Sequence, residues 1–264
     1  MADRPRQLPP RRLAPPGLSE PSEVSTRHEL AARLPDIPRW VELRGLLLQD
    51  HPSLEIFDEG DFEHGGGDPS FAVRDGGSIF LAGVPPLDAA ERIAAAVDLV
   101  EIVATLPARA TLDRALGQWD HTGIRVHELR DETRLPRDLA HVRFLDAAYI
   151  AGLAVVGELR DELEAGAEGS PIAASFVGET PVAFCYAGAT TEAWWDVSID
   201  TVPEHRRHGH AARCAAFMIR HMRTLGREPV WQSAEDNPAS WKLAAKLGFV
   251  AVDRLEYWRR EGAT

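Results

Sequence analysis

Residues 205–214 read HRRHGHAARC, three arginines and three histidines around a single glycine, in a chain of 264 residues whose formal net charge is -12. Just ahead lies WWDVSIDTV (194–202). There Trp195, Val197 and Ile199 alternate with Asp196, Ser198 and Asp200, the period of a strand with two unlike faces, and Pro203 ends it. Just behind, AARCAAFMIRHMRTLG (211–226) sets Ala212, Ala215, Ala216, Ile219 and Met222 in helical rows up to Gly226. Gly209 therefore stands at a strand-to-helix turn. A helix N-terminus leaves backbone N–H groups without intrahelical partners and carries partial positive charge. A glycine there lets an anion approach the main chain, and Ala211 and Ala212 keep the helix start uncluttered. A solvated basic turn explains the same local spacing. Two other phosphate loops are excluded: no GxxxxGK[ST] occurs, and HGHAAR does not supply GxGxxG.

Working outward, HVRFL reads as a strand, DAAYIAGLAVVGELRDELEAG as helical, and ASFVGETPVAFCYAG as a hairpin with Gly178 and Pro181 in its turn. After the cationic turn and its helix come the strand PVWQS, the punctuated helix NPASWKLAAKLGF and the strand VAVDRLEYW. The order over residues 137–264 is β-α-β-β-β-α-β-α-β. Residues 1–24 are a Pro/Arg-rich tail without hydrophobic period. Residues 25–130 make an N-terminal α/β lobe. It holds the helices STRHELAARL and IPRWVELRGLLLQD, a hairpin about Asp75-Gly76-Gly77, the helix LDAAERIAAAVDLV, and the strands EIVATLP and GIRVHELR flanking the helical TLDRALGQW. These elements predict a small sheet with helices, complete by about residue 130. Residues 131–136, ending at Pro136, form the linker. The fold class is α/β with a mixed sheet.

Hydrophobic residues at 44% and charged residues at 27% are an ordinary soluble mixture. No apolar run approaches the ~20 residues that cross a bilayer, and the N-terminus has no apolar signal core, so neither membrane nor export is expected. Cys185 and Cys214 cannot make a disulfide framework and lack metal-site spacing, which suits a cytoplasmic setting. The scattered His51, His64, His121 and His127 do not form a helical metal pair, so no metal is expected. The acidic balance argues against nucleic acid as a partner.

Arg206-Arg207-His208-Gly209-His210-Ala211 resembles the R/Q-x-x-G-x-G/A signature of the GNAT acetyltransferase superfamily, with the Val202-Pro203-Glu204-His205 lead-in common there. Asn237-Pro238-Ala239-Ser240, followed by Leu243, Lys246, Leu247, Gly248 and Phe249, is similar to that family's second block, N-x-x-S/A…K-x-G-F. The resemblance covers about residues 137–264. It implies a splayed mixed sheet binding acetyl-CoA in a V-shaped cleft between the WWDVSIDTV and PVWQS strands. Backbone at Ile199, Thr201 and Val202 would meet the pantetheine, and the N–H groups of Arg207, His208, Gly209, His210, Ala211 and Ala212, behind Arg206, would hold the pyrophosphate. Asn237 and Ser240 would join the cofactor site, although Asn237 equally suits a plain N-cap. The implied activity is N-acetylation of a small-molecule or peptide amine by a monomer or homodimer.

The acid–base groups depart from that pattern. Counting back eleven residues from Arg206, where many relatives have a glutamate, gives Trp195, which cannot take a proton. Asp196 and Ser198, on one strand face, are the candidates, with Glu192 three residues before the tryptophan. A polar strand face bonded to neighbouring elements explains them as well. Relatives place a tyrosine after the leucine of the second block, where Ala244 stands, leaving Tyr257 as the candidate acid. Trp194, Trp195, Trp231 and Trp241 read as packing or as an apolar acceptor pocket. A second function also fits: a non-catalytic acyl-CoA sensor that kept the loop and lost turnover.

Overall fold

The Asp75-Gly76-Gly77 signal forms a two-residue hairpin turn, with Gly76 at φ 55°, between β2 (Phe71–Asp75) and β3 (Ser78–Ala82). The computed structural model describes residues 27–49, 54–57, 70–96, 98–145, 149–150, 158–260 and 262. The tail, His51, His64 and most of DAAYIAGLAVVG lie outside them. The remaining strands are β1 (Glu55–Phe57), β4 (Glu101–Ala104), β5 (Asp120–Leu129), β6 (Val142–Phe144), β7 (Ala173–Val177), β8 (Thr180–Thr190), β9 (Trp194–Thr201), β10 (Glu228–Ala234) and β11 (Phe249–Arg259). The α-helices are α1 (Arg27–Arg33), α2 (Val41–Leu48), α3 (Leu87–Ala95), α4 (Arg109–Leu116), α5 (Glu158–Gly169), α6 (His210–Thr224) and α7 (Pro238–Lys246). From β6 onward the order is the one the sequence predicts. Pro181 lies in β8, paired with Phe176, while Gly178 at φ 59° makes the turn. Among the described residues no helix is long and apolar enough to cross a membrane.

The separate small sheet expected by residue 130 does not form. All eleven strands join one mixed sheet in the order β1-β2-β3-β4-β11-β5-β10-β9-β8-β7-β6. That order contains an internal repeat. β1-β2-β3 are antiparallel, α3 carries the chain to β4 parallel to β3, and α4 leads to β5. β7-β8-β9 are antiparallel, α6 carries the chain to β10 parallel to β9, and α7 leads to β11. The last strands are exchanged: β5 pairs with β10, β11 pairs with β4, and β5 and β11 pair along their lengths. The exchange makes the residue 131–136 segment a crossing within one sheet, since neither half completes its pairing without the other.

Helices cover both faces. On one, α6 and α7 pack over Trp195, Val197, Trp231 and Phe249, and α3 and α4 over Ile79, Leu81, Ile102 and Trp258. On the other, α1 and α2 cover Phe80, Val103, Val126, Val230 and Leu255, and α5 covers Phe184 and Tyr186. The alternation in β9 puts Trp195 and Val197 in the first core and leaves Asp196, Ser198 and Asp200 on the α2–α5 face.

Candidate functional site

β9 and β10 share only three register pairs, Trp194 with Glu228, Trp195 with Pro229 and Asp196 with Val230. Beyond Asp196, β9 follows β8 while β10 follows β5, and the sheet opens into a fork. The other edge of β9 is also irregular at this level: the β8 register jumps between Ala187 and Thr190, so that Gly188 and Ala189 bulge opposite Asp196. Asp196 thus stands at the last β10 pair and opposite the β8 bulge. Its carboxylate bridges the fork, Oδ1 accepting from the Gln232 N–H at 3.4 Å.

Half-buried Asp196 carries a raised carboxyl pKa, from 3.8 to about 7. Desolvation is the main cause, partly offset by the Gln232 and Val197 N–H groups that favour the anion. A second carboxyl comes from the N-terminal segment. Glu42 on α2 is pushed up to about 8, by desolvation first and then by the charges of Asp196 and Glu101. Close packing holds α2 in place: a Cβ on Gly45 would come 2.9 Å from Ala189 Cβ and 3.1 Å from Thr190 N, on the β8 bulge itself. Around it, Arg44 makes a two-pronged pair with Glu192, at 2.9 and 2.6 Å, and Asp36 accepts from Thr191 Oγ1 and Ala193 N at 2.7 and 3.0 Å. The N-terminal helices therefore clamp the β8–β9 turn and set the position of Asp196. Glu192, its pKa lowered mainly by the Arg44 hydrogen bond, is committed to that clamp.

The cationic turn reaches α6 through two left-handed residues, Arg207 at φ 64° and Gly209 at φ 81°. Left-handed residues among right-handed ones turn successive N–H groups toward one concave side, and no side chain caps α6. The turn is open, with Arg206, Arg207 and His208 exposed, while Ala212 is buried under the helix. Two of its side chains are tied back: Arg206 Nε donates to the Thr201 carbonyl at 3.2 Å, and His210 Nδ1 lies 2.9 Å from Ser175 Oγ. Burial, with Arg213 and the neighbouring histidines, lowers the His210 pKa. The turn offers an anion backbone N–H groups beside the exposed guanidinium of Arg207.

Val202 N–H donates to the Val182 carbonyl at 3.0 Å, toward β8, and its own carbonyl takes the His205 N–H at 2.9 Å. The Val202 N–H is therefore engaged by β8 rather than turned to the fork. Since N–H directions alternate along a strand, those of Ile199 and Thr201 face the side β10 has left. Asn237 acts as an N-cap, its Oδ1 accepting from the Ser240 N–H at 3.2 Å. Ser240 Oγ accepts from Trp231 Nε1 at 2.9 Å, which explains that serine by packing. Tyr257 is not brought to the fork. It lies on β11, with β5 and β10 between it and β9, and its register level on β5 is Thr122, whereas that of Asp196, through Val230, is Glu128. Six residues of strand are about 20 Å. Its hydroxyl donates to Glu101 at 2.7 Å, and burial followed by that carboxylate raises its pKa, so the proton stays there.

The indoles are packing groups: Trp195 and Trp231 are buried under α6 and α7, Trp194 donates to the Asp36 carbonyl at 3.1 Å, and Trp241 meets Arg125 at 4.8 Å. Both cysteines are buried with raised pKa values, mainly through desolvation, and no metal-holding cluster exists among the described residues. Sequence reasoning missed Glu42, Gln232, Gly188 and Gly45. The one available signal was polarity on otherwise apolar faces, at Glu42 in the helix WVELRGLLL and at Gln232 in the strand PVWQS.

The N-terminal repeat has no second fork. By register, Phe80, paired with Val103 beside Tyr257, takes the place that Asp196, paired with Val230 beside Glu128, has in the other half. There β3 and β4 stay paired from Ser78–Glu101 to Leu81–Ala104, and α3 is entered through Pro85 and Pro86, which lack N–H donors.

Residues 173–257 match the family model for GNAT acetyltransferases. No curated protein sequence matches the chain. Solved structures share its architecture. A GCN5-related N-acetyltransferase-like protein from Streptococcus suis gives a TM-score of 0.59 at 19% identity, over 89% of this chain and 98% of that one. A tandem GNAT protein from the clavulanic acid biosynthesis pathway gives 0.51 at 17%, over 85% and 88%. A GCN5-related N-acetyltransferase from Kribbella flavida gives 0.51 at 13%, over 85% and 95%. At these identities the likeness establishes the fold.

Proposed function

We propose that the protein is an acetyl-CoA-dependent N-acetyltransferase acting in the cytoplasm, with Asp196 as general base, a reading supported by the match of residues 173–257 to the GNAT acetyltransferase family model. The observation that carries this reading is the position of Asp196, a carboxyl with pKa about 7 at the apex of the β9–β10 fork. The residues present fit the cofactor: the uncapped start of α6, the left-handed Arg207 and Gly209, and the fork-facing N–H groups of Ile199 and Thr201 are donors for phosphates and amides. When bound there, acetyl-CoA supplies a thioester that an unprotonated amine attacks.

An alkylamine with a pKa near 10.4 is almost wholly protonated at neutral pH, so a base must take a proton before or during attack. A carboxylate with pKa about 7 is ionised about half the time at neutral pH and holds a proton better than an ordinary aspartate. Ser198, next along the same face, lines the fork beside it. The Ile199 and Thr201 N–H groups are the donors available to a developing oxyanion. Transfer is direct, because both cysteines lie in the core and present no thiolate to the fork.

Thermal melts with and without acetyl-CoA test the binding half: stabilisation is expected, and Gly209→Glu, which puts a carboxylate where the phosphates sit, should abolish it. Free-thiol release across a panel of amines tests the transfer half. Stabilisation without thiol release from any amine would leave a non-catalytic acyl-CoA-binding protein, the competing reading.

A further inference from the structure

Gln232 is the second residue of β10 beyond its last pair with β9, and its side chain shares the face of Val230 and hence of Asp196. Its main-chain N–H already holds the Asp196 carboxylate. Its side-chain amide is unusual: Nε2 and Oε1 are both buried, and neither has a hydrogen-bond partner. An apolar side chain would spare the fold that unpaired amide, since a buried polar group without a hydrogen bond is destabilising. Across the fork stands Ser198, and on the bulge behind it Gly188 is exposed. A Cβ at Gly188 would come 2.6 Å from Ser198 Oγ and 3.5 Å from Asp196 Oδ2, so the glycine keeps open the approach to Asp196 on this face.

We propose that Gln232 determines acceptor specificity, its side-chain amide pairing with a primary carboxamide next to the reacting amine, so that the acceptor is the α-amine of an amino-acid amide. This rests on amine acetylation at Asp196. A primary carboxamide, like Gln232, is a donor and an acceptor in one plane, and the two can satisfy each other. A simple alkylamine offers no acceptor for Nε2. A free amino acid brings a carboxylate, which cannot donate to Oε1 and would sit beside Asp196 and near Glu42, two carboxyls that already raise the cost of negative charge here. In an α-amino amide the amine and the carbonyl carbon are borne by the same carbon, which suits a base and an amide on neighbouring strands.

The experiment compares kcat/KM for thiol release by the full-length protein with matched small acceptors: an α-amino amide, the corresponding α-amino acid, an alkylamine and an amino alcohol. The amide is expected to exceed each of the others at least tenfold, and Gln232→Leu to reduce its preference over the alkylamine by tenfold or more. Gln232→Met, of similar length, replaces the leucine variant if that fails to fold. Equal use of amide and alkylamine by the wild type overturns the proposal. So does a variant that lowers both rates alike, the mark of a structural or water-filled amide. If acetyl-CoA stabilises the protein but no amine is acetylated, the transfer reading fails separately. The inference is then read by binding, as an added thermal shift from the α-amino amide in the presence of coenzyme A. Its presence in the wild type and loss in Gln232→Leu supports the inference, and its absence in the wild type overturns it.

Discussion

Asp196→Asn separates the two consequences of placing a carboxyl at the fork. The asparagine oxygen can still accept from the Gln232 N–H, so the bridge across the fork survives and the charge goes. The wild-type carboxyl has its pKa raised in the folded state, which therefore binds the proton more tightly than the unfolded chain does. The resulting stability is fully present below the unfolded value of 3.8 and is lost as pH rises through about 7. A difference of about three units corresponds to about 4 kcal/mol in full. Partial exposure and solvent screening reduce that to about 2 kcal/mol, of which roughly half remains to be lost between pH 5 and pH 8. Removing Asp196 also relieves Glu42, which acts in the same direction. Urea denaturation of both proteins at the two pH values should show the variant gaining on the wild type by about 1–2 kcal/mol at the higher pH. Its turnover should fall about 10²–10⁴-fold while acetyl-CoA still stabilises it, and wild-type kcat/KM should rise with pH to a plateau above about 7. A variant that does not gain on the wild type as pH rises would refute the electrostatic reasoning. Undiminished turnover would remove Asp196 as the base.

Gly45→Ala, a change that commonly stabilises a helix by about 0.5–1 kcal/mol, should here destabilise by about 1–2 kcal/mol through contact with the β8 bulge; a higher melting temperature would show that α2 does not press on the site. Ser240→Ala should cost about 1–3 kcal/mol in denaturant melts by orphaning the buried Trp231 N–H; retained stabilisation by acetyl-CoA would mark the serine as packing. Calorimetric titration should find one acetyl-CoA per chain, because Phe80, Pro85 and Pro86 leave the N-terminal repeat without a fork or an amide cradle; a second equivalent would contradict that.

Local order determines much of this protein. The strand alternation in WWDVSIDTV, the permissive Gly209 and the Asn237-Pro238 helix start are properties of short windows, and each element forms where its window places it. Asp196 was legible for the same reason, as a polar residue on an alternating strand. Tyr257 was not excludable, because its distance from Asp196 depends on β5 and β10 lying between their strands. Ser240 and Val202 have local signals that suit a ligand, and only the Trp231 indole and the β8 carbonyl show what engages them.

The sequence by itself determined the elements, the glycine turn before α6 and the resemblance, since these rest on interactions within a few residues. Tertiary structure alone decided that β5 and β11 exchange between halves, that α2 of the N-terminal segment seats on the bulge opposite Asp196, and that Glu42 and Gln232 belong with it. Those outcomes depend on pairings between residues from 36 to more than a hundred positions apart, where burial and charge act through space and leave no periodicity in the chain.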